Sequence, residues 1–177
     1  SEQTLEVFPE PADIALCDLR YDTEDAAEEG SGTRAYVDAA HRTLLLFWNH
    51  LGPLECDGDD IARRGVICRL LVLPGHADEA VGCLRWLARE VGTEIAISVM
   101  AQYTPVYRAL EKAPWNRTIR KDEYEKVTDA FETLGFENGW VQELDSAEPS
   151  DLLGQEMPSG EGAVGKHEEK AGAGKKE

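Results

Sequence analysis

Five polar side chains stand at or near the ends of apolar runs, where α/β proteins usually bind their ligands. Asp18 and Arg20 follow one run, His76 follows a second run behind a Pro-Gly pair, and Gln102 follows a third. Arg69 lies inside the second run. Ligands of parallel α/β folds bind outside the carboxyl ends of the strands. We therefore expect these side chains to converge on one pocket, with His76 at its mouth.

Arg69 is the one charge in a run that predicts a buried strand. A buried guanidinium is destabilising unless an anion faces it, so the sequence predicts a protein acid or a ligand carboxylate opposite Arg69. Structural roles fit the same residues. Asp18 would cap a loop, Arg20 and His76 would be exposed surface groups, and Arg69 would form a salt bridge.

The elements that must position these residues alternate between strand and helix. Short apolar runs predict neighbouring parallel strands, each buried on both faces, at residues 13–17, 66–73, 95–100 and 140–144. Helical patterns separate them, at residues 36–51, 80–91 and 122–134. The fold class is therefore α/β, with right-handed crossovers. Four such units make half of a (β/α)8 barrel, an open arc, although a small doubly wound sheet fits the pattern as well.

Local signals add detail to this arrangement. The Asp57-Gly58 pair predicts the turn of a small hairpin. The acidic stretch 22–29 is interpreted as a solvated loop. Asp122, with Glu125 three residues later, predicts the start of the last helix. Residues 145–177 are rich in Gly, Glu, Lys, Ser and Pro, which predicts a disordered acidic tail after a domain spanning residues 1–144.

Charge and cysteine usage exclude several classes of function. The formal net charge of -17 disfavours binding to nucleic acids and to anionic membranes. No apolar run approaches the roughly 18 residues that a membrane span requires. The four cysteines are widely spaced, with no CxxC pair, which favours free thiols over a disulfide framework or a metal site. These features predict a reduced, cytoplasmic protein.

Residues 4–144 resemble the C-terminal half of radical S-adenosylmethionine (SAM) proteins related to the pyruvate formate-lyase activating enzymes. The matching segments are DIALCDLRY (13–21), DGDDIARRGVICRLLVLPGH (57–76) and ISVMAQYTPVYRA (97–109). The run from Arg117 to Arg120, followed by Glu123 and Tyr124, continues the match. Each segment is moderately specific, whereas their joint order and spacing are a strong signal over about four fifths of the chain.

The resemblance implies a (β/α) barrel that holds SAM and a [4Fe-4S] cluster and starts radical chemistry by reductive cleavage of SAM. It also implies an electron donor and a glycyl radical enzyme as protein substrate. In this family an Asp-x-Lys segment lies against SAM. Asp18 matches its Asp, whereas Arg20 replaces its Lys. The resemblance points Arg69 and Gln102 towards the same site.

The family's Cx3Cx2C motif and its Gly-Gly-Glu segment do not occur in this chain. We therefore expect a fragment of a longer radical SAM enzyme, or the product of a split or truncated gene, with the cluster ligands outside this sequence. The alternative is a catalytically inactive α/β module that binds SAM, a nucleotide or another chain. A barrel hydrolase or isomerase is disfavoured, because no paired carboxylates and no nucleophile motif are present.

Overall fold

Strands and helices alternate along the described part of the chain, which in the computed structural model comprises residues 12–142 and 144. The strands are β1 (Ile14–Leu19), β2 (Glu55–Cys56), β3 (Ala62–Leu71), β4 (Ala96–Met100) and β5 (Gly139–Val141). The α-helices are α1 (Glu24–Ser31), α2 (Tyr36–Leu51), α3 (Ala77–Glu90) and α4 (Lys121–Thr133), and a 3₁₀ helix spans Tyr107–Glu111. The predicted tail, residues 145–177, lies outside the described residues.

Four of these strands form one parallel sheet in the order β1-β3-β4-β5. The prediction of four neighbouring parallel strands, and with it the α/β class, is confirmed. The register aligns Asp18 with Arg69, Arg69 with Ser98, and Ser98 with Trp140. Side chains at aligned positions lie on the same face of a sheet, so these four form one row across it.

The predicted hairpin is also present. β2 pairs with β3 in antiparallel orientation. The Asp57 carboxylate accepts hydrogen bonds from the backbone N–H groups of Asp59 and Ile61, at 2.9 and 3.1 Å. These bonds hold the turn and keep the pKa of Asp57 below its usual value.

One face of the parallel sheet carries the core. Alternate strand residues such as Cys17, Cys68 and Ile97 are buried with side chains of α2, α3 and α4 in one continuous cluster. On the other face Leu16 is 59% exposed and Arg69 is exposed as well. The prediction that each strand is buried on both faces is therefore wrong. The runs looked continuous because the open face is itself largely apolar.

Two helix starts differ from the prediction. The acidic stretch is not a loop, because α1 begins there, capped by the Thr23 hydroxyl, which accepts a hydrogen bond from the Ala26 N–H at 3.3 Å. The predicted cap Asp122 lies inside α4, since that helix begins one residue earlier. Glu123 supplies the capping carboxylate instead, accepting a hydrogen bond from the Arg120 N–H at 2.9 Å. A carboxylate at the third position of a helix can accept a hydrogen bond from the backbone N–H of the N-cap residue, which has no partner within the helix.

Candidate functional site

A carboxylate on the open face of the sheet holds two guanidinium groups. Asp18 Oδ1 accepts a hydrogen bond from Arg69 Nε at 2.6 Å, and Asp18 Oδ2 accepts one from Arg20 Nη2 at 3.1 Å. The Arg69 and Arg20 side chains are 44% and 46% exposed. We call Arg20, Asp18 and Arg69 the charged row. The predicted acid opposite Arg69 is thus confirmed, whereas the predicted burial of Arg69 is wrong because its side chain points to the open face.

The end of β1 is fixed from the helix side. The Tyr36 hydroxyl at the start of α2 donates a hydrogen bond to the Asp18 carbonyl oxygen at 3.1 Å. Burial raises the pKa of Tyr36 to about 12, so the hydroxyl keeps its proton at neutral pH. A shallow depression of about 410 Å³ lies next to this contact, lined by Leu16, Asp18 and Arg20 among others. The depression lies between β1 and α2, and Asp18 and Arg20 of the charged row line it, whereas Arg69 does not.

A larger cleft, about 800 Å³, opens beyond the carboxyl ends of β1, β3 and β4. We call it the carboxyl-edge cleft. Leu71, Leu73 and Tyr21 contribute apolar surface to it, and Arg20 from the charged row contributes a cation. The end of α1 and the 3₁₀ helix line it as well. A cleft of this size at the carboxyl edge of a parallel sheet is where α/β proteins bind small molecules.

Trp115 links the elements around the carboxyl-edge cleft. Its carbonyl oxygen accepts a hydrogen bond from the Tyr103 hydroxyl at 2.8 Å, and its indole N–H donates to Glu29 Oε1 at 3.2 Å. Lys112 Nζ lies 3.2 Å from the same oxygen. The hydrogen bond from Trp115, followed by that from Lys112, lowers the pKa of Glu29. The carboxylate near the end of α1 is therefore ionised at neutral pH and connects α1 to the segment after β4.

The loop between β3 and α3 is held by a partly buried ion pair. Arg117 donates two hydrogen bonds, of 2.7 Å each, to the two oxygens of Glu123. Glu123 Oε1 also accepts a bond from the Gly75 N–H at 2.7 Å. Gly75 has a φ of +78°, and a Cβ there would lie 2.5 Å from the Pro114 ring. These contacts fix the turn that precedes His76.

Three of the predicted site residues, Asp18, Arg20 and Arg69, lie together in the charged row. His76 is half-buried and stacks on Trp115, with 4.6 Å between ring centroids, so it packs beside the carboxyl-edge cleft instead of standing free at its mouth. Gln102 is exposed and directly precedes Tyr103, which lines the cleft.

Sequence reasoning missed the cleft residues of the segment after β4, namely Arg108, Lys112 and Trp115. Their contacts bridge up to 86 positions in the chain, as for Trp115 with Glu29. Local periodicity carries no signal for such pairs. The hint that the sequence did offer was a lone Trp after a proline, in a segment with no strand pattern.

The cysteines do not match a cluster site. Within residues 12–142 and 144, no group of three or more His, Cys, Asp or Glu side chains is placed to hold a metal ion. Cys17, Cys68 and Cys83 are buried on the helix side, whereas Cys56 is exposed near the hairpin. Burial raises the pKa of Cys17 to about 11 and that of Cys68 well above its usual value, which disfavours the thiolate form that iron binds.

Comparison with known proteins gives one relative. An uncharacterized protein of Methanocaldococcus jannaschii is 26% identical over 125 residues, which cover 71% of this chain and 33% of that protein. The chain thus spans about a third of the length of the curated relative it matches. No family model matches the sequence, and no solved structure matches it. Among the described helices, none is both long enough and apolar enough to cross a membrane.

Proposed function

We propose that this chain is the C-terminal β/α portion of a radical SAM enzyme and that its charged row forms one wall of the SAM pocket. The observation that carries the proposal is the Arg20–Asp18–Arg69 cluster on the open face of the sheet, at its carboxyl edge. The sequence resemblance assigns the same three positions to SAM. Bound to a [4Fe-4S] cluster, SAM supplies a radical that abstracts hydrogen from a substrate.

Sheet topology supports a barrel arc. Parallel strands in consecutive order, with helix side chains packed on one face, are the arrangement of a (β/α) barrel, in which the helices lie outside. The open face would then be part of the barrel interior. A closed barrel needs about eight strands, so four parallel strands would supply half of the wall.

The charged row has donors available for an anionic group. Arg69 uses Nε to bind Asp18, and its two Nη groups have no hydrogen-bond partner among the described residues. Arg20 uses one Nη group. A planar guanidinium binds a carboxylate through two parallel hydrogen bonds, so these free donors suit the carboxylate of SAM. Asp18 would orient both arginines and would limit the positive charge that they present.

The direct test is calorimetric titration of SAM into the reconstituted protein expressed from the whole reading frame that contains this sequence. Arg20→Ala and Arg69→Ala should each weaken SAM binding by about 1.5–3 kcal/mol, the loss expected for a charge-assisted hydrogen bond. Arg85→Ala, an exposed arginine on α3, is the matched control and should bind SAM like the wild type. Unchanged affinity in both test variants would make the charged row structural and would contradict the proposal.

A second candidate is a module of the same fold that binds its ligand without catalysis. Both candidates fit the lack of a cluster-holding set of side chains among residues 12–142 and 144, because the enzyme proposal places the cluster ligands outside this sequence. Reading-frame DNA upstream of Ser1 separates the two functions, because in-frame codons for Cx3Cx2C support the enzyme and an intact start codon there supports the module.

The chain alone, reconstituted with iron and sulfide, should show no stoichiometric [4Fe-4S] absorbance. A stable cluster bound through its own cysteines would overturn the fragment hypothesis.

The partners follow from the enzyme proposal alone. A glycyl radical enzyme as protein substrate and a separate electron donor are proposed from the family resemblance. Co-purification of the whole-frame protein with a glycyl radical enzyme, followed by detection of its glycyl radical after incubation with SAM and a reductant, would test this part. A protein that binds SAM but generates no such radical would act on a different substrate.

A further inference from the structure

The lining of the carboxyl-edge cleft includes more cations than acids, although the protein is strongly acidic. The chain as a whole carries a formal charge of -17. Three cations line the cleft (Arg20, Arg108 and Lys112) and two acids (Glu29 and Glu111), which gives 3 - 2 = +1. Because Asp18 pairs with Arg20 beside the cleft, the cleft as a whole carries no net positive charge, and binding of an anion would depend on an individual unpaired cation.

Arg108 is the cation in this lining that no protein acid neutralises. Lys112 is paired with Glu29 at 3.2 Å, and Arg20 is paired with Asp18 at 3.1 Å. Arg108 is exposed on the 3₁₀ helix and has no ion-pair or hydrogen-bond partner among the described residues. Its guanidinium can therefore bind a ligand anion without breaking a contact within the protein.

Apart from Ser31 and two glycines, the remainder of the lining is apolar or aromatic. Leu71, Leu73 and Tyr21 contribute along one side, and Tyr103 and Trp115 along the other. The volume of about 800 Å³ exceeds what an inorganic anion fills and lies within the range of small-molecule sites. Tyr21, Leu73 and Trp115 are already buried within the protein, so a ligand with an apolar body would cover mainly Leu71 and Tyr103, which are partly exposed. This burial favours binding by about 25 cal/mol for each Å² removed from water.

Backbone packing pre-forms this surface. A Cβ on Gly30 would lie 2.1 Å from the Tyr21 hydroxyl oxygen and 2.9 Å from the Trp115 ring, so α1 packs directly against both aromatic residues. Trp115 is further tied to Glu29 and Tyr103 by hydrogen bonds. A rigid surface binds a small ligand with less loss of side-chain entropy.

We propose that the carboxyl-edge cleft binds a small organic anion that has a flat apolar body, with Arg108 as the residue that pairs with its charge. This inference does not depend on a SAM site in the charged row. The two sites share Arg20 alone. Arg108 belongs only to the carboxyl-edge cleft, and Arg69 belongs only to the charged row.

The test is calorimetric titration of the 177-residue chain with phenyl phosphate, inorganic phosphate and phenol. Phenyl phosphate should bind at least tenfold more tightly than either of the other two, because it alone satisfies both the cation and the apolar lining. Raising the salt concentration from 50 to 500 mM should weaken its binding, as screening of an exposed cation requires. Equal affinity for phosphate and phenyl phosphate would overturn the proposal.

Matched variants locate the site. Arg108→Gln should weaken phenyl phosphate binding at least fivefold, whereas Arg85→Gln, an equally exposed arginine on α3, should leave it unchanged. Circular dichroism confirms that each variant is folded. Arg69→Met should preserve phenyl phosphate binding even if it abolishes SAM binding, so the two proposals can fail separately. Wild-type affinity in Arg108→Gln would refute the cleft as an anion site.

Discussion

Replacing Glu123 with Gln should release the contacts that hold the β3–α3 loop against the start of α4. The carboxylate accepts four hydrogen bonds, two from Arg117 and one each from the Gly75 and Arg120 N–H groups. Gln keeps the shape of the side chain but removes its charge and one acceptor. Arg117, whose side chain is 27% exposed, is then left without its anion.

The magnitude follows from the pKa of Glu123, which the hydrogen bonds from Arg117 lower first, and which falls from 4.5 to about 2. At about 1.4 kcal/mol for each tenfold change in proton affinity, this lowering of the pKa corresponds to roughly 3 kcal/mol as an upper bound. The ion pair retains some contact with solvent, so we expect a loss of about 2 kcal/mol in the free energy of unfolding at pH 7. For a domain of this size that lowers the melting temperature by about 4–8 °C.

Urea unfolding at pH 7, 5 and 3 measures this contribution. The pKa of Glu123 is lower in the folded state, so its stabilisation is complete above about pH 4.5 and is lost as the pH falls from there towards 2. Glu123→Gln should therefore lose stability at pH 7 and show a shallower acid dependence than the wild type. Glu125→Gln is the matched control, because that exposed carboxylate lies 3.5 Å from Lys121 and should contribute less than about 0.5 kcal/mol. Indistinguishable behaviour of the two variants would refute the reasoning.

Two further substitutions and one labelling experiment test other parts of the fold. Gly65→Ala should destabilise the protein by about 2 kcal/mol or more in the same urea assay, because φ is +126° and the new Cβ would lie 2.4 Å from the Pro53 carbonyl oxygen. An unfolding midpoint equal to that of the wild type would contradict this geometry. His41 stacks on Trp86, and its pKa is lowered by burial, so the neutral ring contributes to stability in full above about pH 6.5. This contribution is lost as the pH falls from about 6.5 towards the lower pKa of the folded state. His41→Phe should remove part of the fall in melting temperature between pH 7.5 and 5.5, and an unchanged fall would assign it to other groups. A thiol reagent should label one cysteine rapidly in the native protein and three more only in urea, because Cys56 is exposed and the others are buried. Rapid labelling of two or more thiols in the native protein would contradict this burial.

The parallel sheet could be predicted because its information is local. Each strand is a short apolar run, and each helix carries its own period, so order and direction followed from known rules of connection. The exposure of one face could not be predicted in the same way. Leu16, Ile67 and Met100 lie on the open face and are as apolar as core residues, so the runs carry no alternation that would mark the face.

The candidate site could likewise be predicted only where its signal is local in the sequence. Asp18 and Arg20 could be found because they follow the first apolar run of the sequence, and the acid opposite Arg69 could be predicted from the cost of an unpaired guanidinium. The links of Trp115 to Glu29 and of Glu123 to Gly75 join positions 86 and 48 residues apart. Tertiary packing creates those pairs, and no local pattern in one sequence encodes them.

Two of the thiols are sequence neighbours of charged-row residues but lie on the opposite face of the sheet. Cys17 precedes Asp18 on β1, and Cys68 precedes Arg69 on β3, so each thiol lies on the face opposite its charged neighbour. A one-residue slip in register would be needed to bring the thiols to the open face, and it would expose the whole core of the sheet. If the proposed iron–sulfur cluster acts beside Asp18, its thiolates would have to come from a segment other than these strands.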